Sequence, residues 1–480
     1  MSNKSGNYIE IAGGSITEHC TGEYNLFAQK MSFNAEGTVS INGAQKGTSY
    51  KTPIEPPKIV LNQGKVKKVE LVTNLDLGSK NDKSGGTQLG MIFGKEYTFQ
   101  VTQYDNETPL TRRLTKWQIR YHSPKYSQNK WIDVPLKVTG DTVKITMNEE
   151  DMCGRFIYVR AYIDDPKSEG ETKVWKHNRF RWFDREIVYE QIEDRVKDFW
   201  KIKQGSSSLC GMAALYYAML KRDSKEYKKL AQNLFRTGEY SIGKYIIKPH
   251  EKALSMYDVK TTDNNYIAMG MFEIDWIVLA TTRSKESLND KFVYKGFEDG
   301  NIDMLKAVNW PDMLTRMCKE VAGFSNAISH NLGFNAINNK KRLISARVHD
   351  YFSNSDLEEL IEIDKSHKLG HTNLMMIDAD MIDNKSSYNS LVDIGNDSHW
   401  VVYEGGLQFY DKNGKVTSVL DDVESLTFRI FTWGRNPKTG EYKRMDGKTD
   451  FDKEVINIQT SPGIGVKSFK SNYYGYIEVY

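Results

Sequence analysis

Over the first 56 residues the apolar positions come in short alternating runs broken by Gly and Asn, as in Tyr8-Ile-Glu-Ile-Ala and Thr38-Val-Ser-Ile-Asn-Gly43. Nothing there carries a helical period, so the pattern predicts short strands. Lys51-Thr-Pro-Ile-Glu-Pro-Pro57 follows as a stiff, extended linker. From residue 58 to about 186 the period stays at two. Lys67-Lys-Val-Glu-Leu-Val-Thr, Tyr97-Thr-Phe-Gln-Val-Thr, Lys116-Trp-Gln-Ile-Arg-Tyr, Thr142-Val-Lys-Ile-Thr-Met and Phe156-Ile-Tyr-Val-Arg-Ala-Tyr-Ile all alternate, with polar turns between them. Beyond Val188 the period lengthens. Helical spacing predicts helices at Gln191–Trp200, Cys210–Lys221, Ser224–Phe235, Phe272–Ala280, Asp312–Val321 and Ser355–Lys365. Strands are predicted at Leu374–Asp378, His399–Tyr403, Leu426–Thr432 and Gly475–Tyr480, and Leu288–Asn301 reads as a polar surface loop. Helices first and an antiparallel sheet after is the order of an α+β domain.

Three parts follow from these textures: 1–56, 57–186 and 187–480. The first is too short to bury a core of its own. It is expected to stack as a turn of a β-helix or on a partner's edge, with a poorly ordered β-rich leader as the alternative. In the second, Trp117 in mid-strand and the late Tyr158-Val-Arg-Ala-Tyr162 strand suit an immunoglobulin-like sandwich. Cys153 has no nearby cysteine with which to form an intersheet disulfide. A spacer or binding role is expected of such a domain.

Composition narrows the function classes. Of 480 residues, 39% are hydrophobic and 27% charged, which suits a globular chain with room for more than one core. A net charge of +3 gives no argument for nucleic acid or for an anionic membrane surface. No run approaches the ~20 apolar residues of a membrane span, and the N-terminus lacks the apolar core of a signal peptide. Cys20, Cys153, Cys210 and Cys318 lie far apart, which argues against a zinc knuckle and against a disulfide scaffold. The chain is therefore expected in a reducing cytoplasm, with any export by a route that needs no cleaved signal.

The chemistry concentrates in Gln204-Gly-Ser-Ser-Ser-Leu-Cys210-Gly-Met-Ala-Ala, where a cysteine opens an apolar helix. Unpaired N–H groups and the dipole at a helix N-terminus favour a thiolate, and an amide six residues upstream can serve as oxyanion donor. The alternative is a buried structural cysteine opening an ordinary core helix. A thiol needs a base. His399 opens a strand behind the loop Gly395-Asn-Asp-Ser398, and His371 is the reserve. Asp378-Ala-Asp-Met-Ile-Asp383 lacks the glycine and terminal glutamate of a calcium loop, so no metal is expected, and no cofactor either. Pro462-Gly-Ile-Gly465 is expected to be a turn with no helix behind it. Asp275 is expected in a buried helix and paired with an arginine, Arg283 being one choice.

Gln204, Cys210, His399 and the strand end Thr432-Trp433-Gly434 resemble the layout of papain-like cysteine peptidases. That resemblance implies Gln204 as oxyanion donor, Cys210 as nucleophile, His399 as base and Trp433 as the indole shielding the histidine. It implies a papain-like α+β fold for 187–480. Phe431 stands where the family carries its orienting Asn, which leaves Thr432, Asp397, Asp411 or Asp378 for that role. More narrowly, Ser-Leu-Cys-Gly-x-Ala-Ala, Thr281-Thr-Arg-Ser, His-Trp-Val-Val and Thr-Trp-Gly resemble a bacterial family of predicted effectors of contractile injection (type VI-like) systems. The leader resembles repeats that decorate spike-tip cargo in Bacteroidetes-type systems. The resemblance implies a peptide or peptidoglycan-peptide substrate, a secretion-spike partner for 1–56 and a cognate immunity protein. A non-catalytic, spike-associated interaction protein is the competing class.

Overall fold

The computed structural model describes residues 64–123, 130–205, 207–260, 271–298, 306, 309–332, 354–381, 398–433, 456–457 and 463–480. The leader 1–56, its linker, Asp383, Asp397 and Gly434 lie outside the described residues. Those described belong to one compact unit, Gly64–Tyr480, that contains three apolar cores. The chain is multidomain in texture, built from antiparallel sheets and helices. Among the described residues no helix is long and apolar enough to cross a membrane.

The first core lies between two sheets. Strands β1 (Val66–Leu71), β4 (Glu96–Tyr104) and β7 (Thr142–Thr146) form one, in the order β1-β4-β7. The other holds β5 (Lys116–His122), β6 (Trp131–Thr139), β8 (Arg155–Tyr162) and β9 (Gly170–Lys176), in the order β6-β5-β8-β9. Alternation sends Tyr97, Phe99, Trp117, Ile119, Ile157 and Val159 inward, and the indole N–H of Trp117 donates to the Gly140 carbonyl at 2.8 Å. Two strands of this region have no clear apolar alternation in the sequence, those of the Gly-bearing hairpin β2 (Asp76–Ser79) and β3 (Thr87–Gly90). Its Gly78 and Gly90 clamp the buried His177 ring, and a Cβ on either would sit 2.7 Å from that ring. Edge strand β6 alternates through Ile132, Val134, Leu136 and Val138, and as an edge strand it tolerates Pro135.

Helix α2 (Arg185–Lys197) begins the helical part, its N-terminus capped by Asp184, whose Oδ1 accepts from the Glu186 and Ile187 N–H groups. Asp184 also accepts from the Lys83 N–H at 2.9 Å, and Ser79 N–H donates to the Arg181 carbonyl at 2.8 Å, so the hairpin is stitched to the helical part. Helix α3 runs from Cys210 to Thr237, with a break at Asp223 (φ −147°, ψ 80°). The break falls where the apolar pattern divides into two helices, and Asp223 caps the second half by accepting from the Glu226 N–H at 3.0 Å. Helices α4 (Glu273–Lys285) and α5 (Pro311–Glu320) pack with α2 and α3 in the largest core.

A short helix α1 (Pro109–Leu114) precedes β5, β10 (Tyr240–Ile242) pairs with β11 (Tyr245–Ile247), and β15 (Gln408–Tyr410), β16 (Ser425–Thr427) and β19 (Ile464–Gly465) form a small sheet. The largest core is floored by a six-stranded sheet of β12 (Ala327–His330), β20 (Tyr473–Val479), β13 (Thr372–Asp378), β14 (Ser398–Tyr403), β17 (Arg429–Phe431) and β18 (Ile456–Asn457), in that spatial order, so the expected strand Leu426–Thr432 is divided between two sheets. Leu374, Met376, Trp400, Val402 and Ile477 face α3, while Met375, Ile377, Val401 and Tyr403 face helix α6 (Ser355–Lys368). Both faces are covered, so β13 is buried along its whole length. Helix α7 (Val466–Asn472) follows Gly465 directly, correcting the expectation that no helix follows that turn; its seven residues close the lower core through Phe469. Leu288–Asn301 is likewise not all surface, since Val293 and Tyr294 are buried.

The buried arginine of Asp275 is Arg195 on α2. Its Nε and Nη2 donate to both carboxylate oxygens at 2.7 and 2.6 Å, and both side chains are sealed from solvent. Asp275 Oδ2 also accepts from the Lys203 N–H at 3.1 Å, which anchors the loop leading to Cys210. Removing one partner of such a pair strands a charge, at a cost of about 3–5 kcal/mol. Asp275→Asn is therefore expected to lower unfolding stability by about that amount in a urea titration, and the double change Asp275→Leu with Arg195→Met by less.

Candidate functional site

Cys210 is the first residue of α3 and is 7% exposed. Leu209, before it, supplies no side-chain cap, so the first N–H groups of the helix are left to other partners. The main-chain N–H groups of Trp400, Gly211 and Cys210 favour the ionised form of the sulfur. Trp400 immediately follows His399, so the cysteine lies against the peptide group that joins those two residues. Burial nevertheless outweighs these donors and pushes the Cys210 thiol up to about 11. The helix N-terminus eases ionisation without overcoming desolvation. Cys318, wholly enclosed, is pushed up to about 12 by burial alone.

The loop before the helix closes on itself. Gln204 Nε2 donates to the Ser207 carbonyl at 2.8 Å, and the Ser207 hydroxyl donates back to the Gln204 carbonyl at 2.6 Å. Gln204 thus sits beside the cysteine loop, with its amide nitrogen turned to Ser207 and its buried Oε1 without a hydrogen-bond partner among the described residues. Burial also pulls the Lys203 ammonium, next in the chain, down to about 6, against the pull of Asp275.

His399 and Thr432 are brought together: Nε2 of the imidazole and the Thr432 hydroxyl lie 2.6 Å apart. Strand pairing explains why Thr432 and not Phe431 makes this contact. Val402 stands opposite Phe431 in the register, so one step further along the strands Thr432 is a diagonal neighbour of His399. Phe431 stacks on Tyr217 of α3 at 4.4 Å between ring centroids. Where an orienting amide was expected, the chain uses an aromatic ring to seal helix against sheet. Trp433 presents its ring to His399 at 6.3 Å and an interplanar angle of 63°.

The other orienting and basic candidates are engaged elsewhere. Asp378 pairs with Ser398 in the register, and its Oδ2 accepts from the Tyr474 hydroxyl at 2.9 Å. Asp411 accepts from the Asn413 and Lys415 N–H groups in its own turn. His371 pairs with Glu478 at 2.7 Å next to Thr372, at the far end of β13 from the Ile377–His399 pair. The Thr281-Thr-Arg-Ser run is buried inside α4. Among the described residues no group of His, Cys, Asp and Glu side chains is arranged to hold a metal ion.

Spacing in the sequence did not reveal Asn309. It is 1% exposed, its Nδ2 donates to the Ser208 carbonyl at 2.8 Å, and its own carbonyl accepts from the Trp400 indole at 3.0 Å. It therefore clamps the cysteine loop to the strand that carries His399. Gly211 is required by this closeness: a Cβ there would lie 2.5 Å from Asn309 Cβ and 3.2 Å from Trp400 Cδ1. The only local signal is the Trp310-Pro311 helix start that follows Asn309.

Comparison with protein-family models, with curated proteins and with solved structures returns no match. The functional reading accordingly rests on the residues and their geometry.

Three outcomes follow. The rate of Cys210 alkylation by iodoacetamide, read by peptide mass mapping, should keep rising with pH toward about 11 and show no plateau near neutrality. Because the native thiol holds its proton to about 11 and an unperturbed one to 9.0, its contribution to stability is intact below pH 9 and declines as pH rises to 11. Gly211→Ala should destabilise the fold by about 1–3 kcal/mol through overpacking, measurable as a lowered urea midpoint.

Proposed function

We infer that the chain is a cysteine-dependent amide hydrolase with Cys210 as nucleophile and His399 as general base. The observation that carries this reading is the closeness of the helix start at Cys210 to the strand of His399, where a Cβ on Gly211 would lie 3.2 Å from Trp400 Cδ1, beside a histidine whose Nε2 lies 2.6 Å from the Thr432 hydroxyl. For His399 to act as base through Nδ1, Nε2 must carry the proton and Thr432 Oγ1 must accept it, so Thr432 takes the orienting role and Trp433 covers the pair. With the thiol raised by burial, no preformed thiolate is needed: His399 removes the proton as sulfur attacks the carbonyl carbon, and returns it to the leaving amine. The N–H of Cys210 stabilises the oxyanion, joined by Gln204 if its amide turns away from Ser207. Water then releases the acyl group. The papain-like assignment of 187–480 belongs to this proposal, as do the peptide or peptidoglycan-peptide substrate and the role as cargo of a contractile injection system. The strand orders β1-β4-β7 and β6-β5-β8-β9 support an immunoglobulin-like reading of the first core.

A second reading, a non-catalytic interaction protein, is favoured by one feature of β14. Trp400 and Val402 face α3 while Val401 and Tyr403 face away, and the same alternation turns His399 away from α3. Incubation with a denatured protein mixture and with purified sacculi separates the two. Wild type should release new amino termini from one of these, and Cys210→Ala and His399→Ala should each lower that rate by at least about a hundredfold. Absence of turnover on both substrates, with Cys210 alkylated no faster than Cys318, would establish the non-catalytic reading.

A further inference from the structure

The outer face of the β6-β5-β8-β9 sheet carries a second feature, independent of the chemistry at Cys210. Trp117, Ile119, Tyr121, Ile157 and Val159 point into the core, so the alternate residues of the same strands point outward. Strand register sets these outward residues in rows. In the first, Trp131 stands opposite His122, and Phe156 opposite Trp175; Tyr121 opposite Ile157 makes the two pairs neighbours. One row of aromatic rings therefore crosses four strands, about 14 Å at the usual strand spacing. The next row reads Asp133, Arg120, Tyr158, Lys173, and the third Pro135, Gln118, Arg160, Glu171.

The rings form a connected surface. Trp131 meets His122 and Tyr158 edge-on at 5.5 and 5.6 Å, and Phe156 meets Trp175 at 5.1 Å. Both Trp131 and Phe156, two strands apart with His122 between them, are 43% exposed, high for large apolar rings. Cations lie over them: the Arg120 guanidinium is 4.6 Å from the Trp131 ring and the Lys173 ammonium 4.0 Å from Phe156. Lys173 has no carboxylate partner among the described residues, whereas Arg160 pairs with Glu171 at 2.5 Å. Five cations (Lys116, Arg120, Lys137, Arg160 and Lys173) share the face with two carboxylates, Asp133 and Glu171, so it is net positive.

We propose that this sheet face is a binding site for an acidic glycan, a polysaccharide whose pyranose rings lie on the aromatic row and whose carboxylates meet Lys173 and Arg120. The π-face of an aromatic ring is the negative side of its quadrupole and attracts the polarised C–H groups of a sugar ring. The cations beside the rings supply charge complementarity. The exposed Trp131, Phe156 and Lys173 lie along the first two rows, while Gln118 and Arg160 in the third are buried, so a chain lying across the strands meets the aromatic row. Poly(U) RNA is the competing polyanion that the test includes.

The test uses the full chain in affinity electrophoresis through gels containing sodium polygalacturonate, neutral dextran or poly(U) RNA. Tryptophan quenching by polygalacturonate fragments gives a Kd. Retardation by polygalacturonate alone, weakening with salt, is the expected result. Trp131→Ala combined with Phe156→Ala should raise Kd at least tenfold, and Lys173→Glu should do so with a shallower salt dependence. These side chains are exposed, and an unchanged thermal midpoint confirms that each variant is folded. No retardation by polygalacturonate, equal retardation by dextran, or tighter binding of poly(U) overturns the proposal. Undiminished binding by the folded double variant also overturns it.

Discussion

The helical part of the molecule depends on one buried ion pair. Arg195 and Asp275 are both removed from water, a costly placement unless every charged atom finds a partner. The bidentate geometry meets that demand and in doing so fixes α2 against α4. The same carboxylate holds the Lys203 N–H, so the loop that leads to Cys210 starts from a point set by the core. Asn309 then ties the end of that loop to Trp400. The cysteine is thus placed by two anchors that belong to other elements.

Packing and reactivity pull against each other at this cysteine. Trp433, Phe431 and Tyr217 close the sheet onto α3 and exclude water, which stabilises the helix. The same exclusion removes the solvent that would support a thiolate, and the N–H groups of Trp400 and Gly211 restore only part of that support. Chemistry at such a thiol needs a proton acceptor arriving with the substrate geometry, which places the weight on His399 and its contact with Thr432.

Much of the element order was legible, because apolar spacing reflects which face is buried. Strands β1, β4, β5, β7 and β8 and helices α3 to α6 lie where the periods place them, while α2 begins at Arg185, before the expected Gln191, and ends at Lys197. The failures have separate physical causes. The β2–β3 hairpin trades side chains for glycines so that the His177 ring can fit, which erases alternation. Edge strand β6 does alternate, through Ile132, Val134, Leu136 and Val138, but Pro135 in its middle argues against a strand unless its edge position is known. Helix α7 is short and continues directly from a glycine turn, so its start resembles a loop.

The sequence by itself determined the setting of Cys210, a cysteine opening an apolar helix, and the placing of a histidine at a strand mouth with a Thr-Trp pair ending a later strand. Those are local patterns, and local spacing encodes them. Only the tertiary structure decided that Thr432 meets His399 while Phe431 seals the helix, since one step of strand register separates the two roles. It also decided that Arg195, 80 residues away along the chain, answers Asp275. The raised thiol is a tertiary property as well. Desolvation is set by what packs around the sulfur, and those neighbours come from a helix, a loop and a strand that no window of sequence contains.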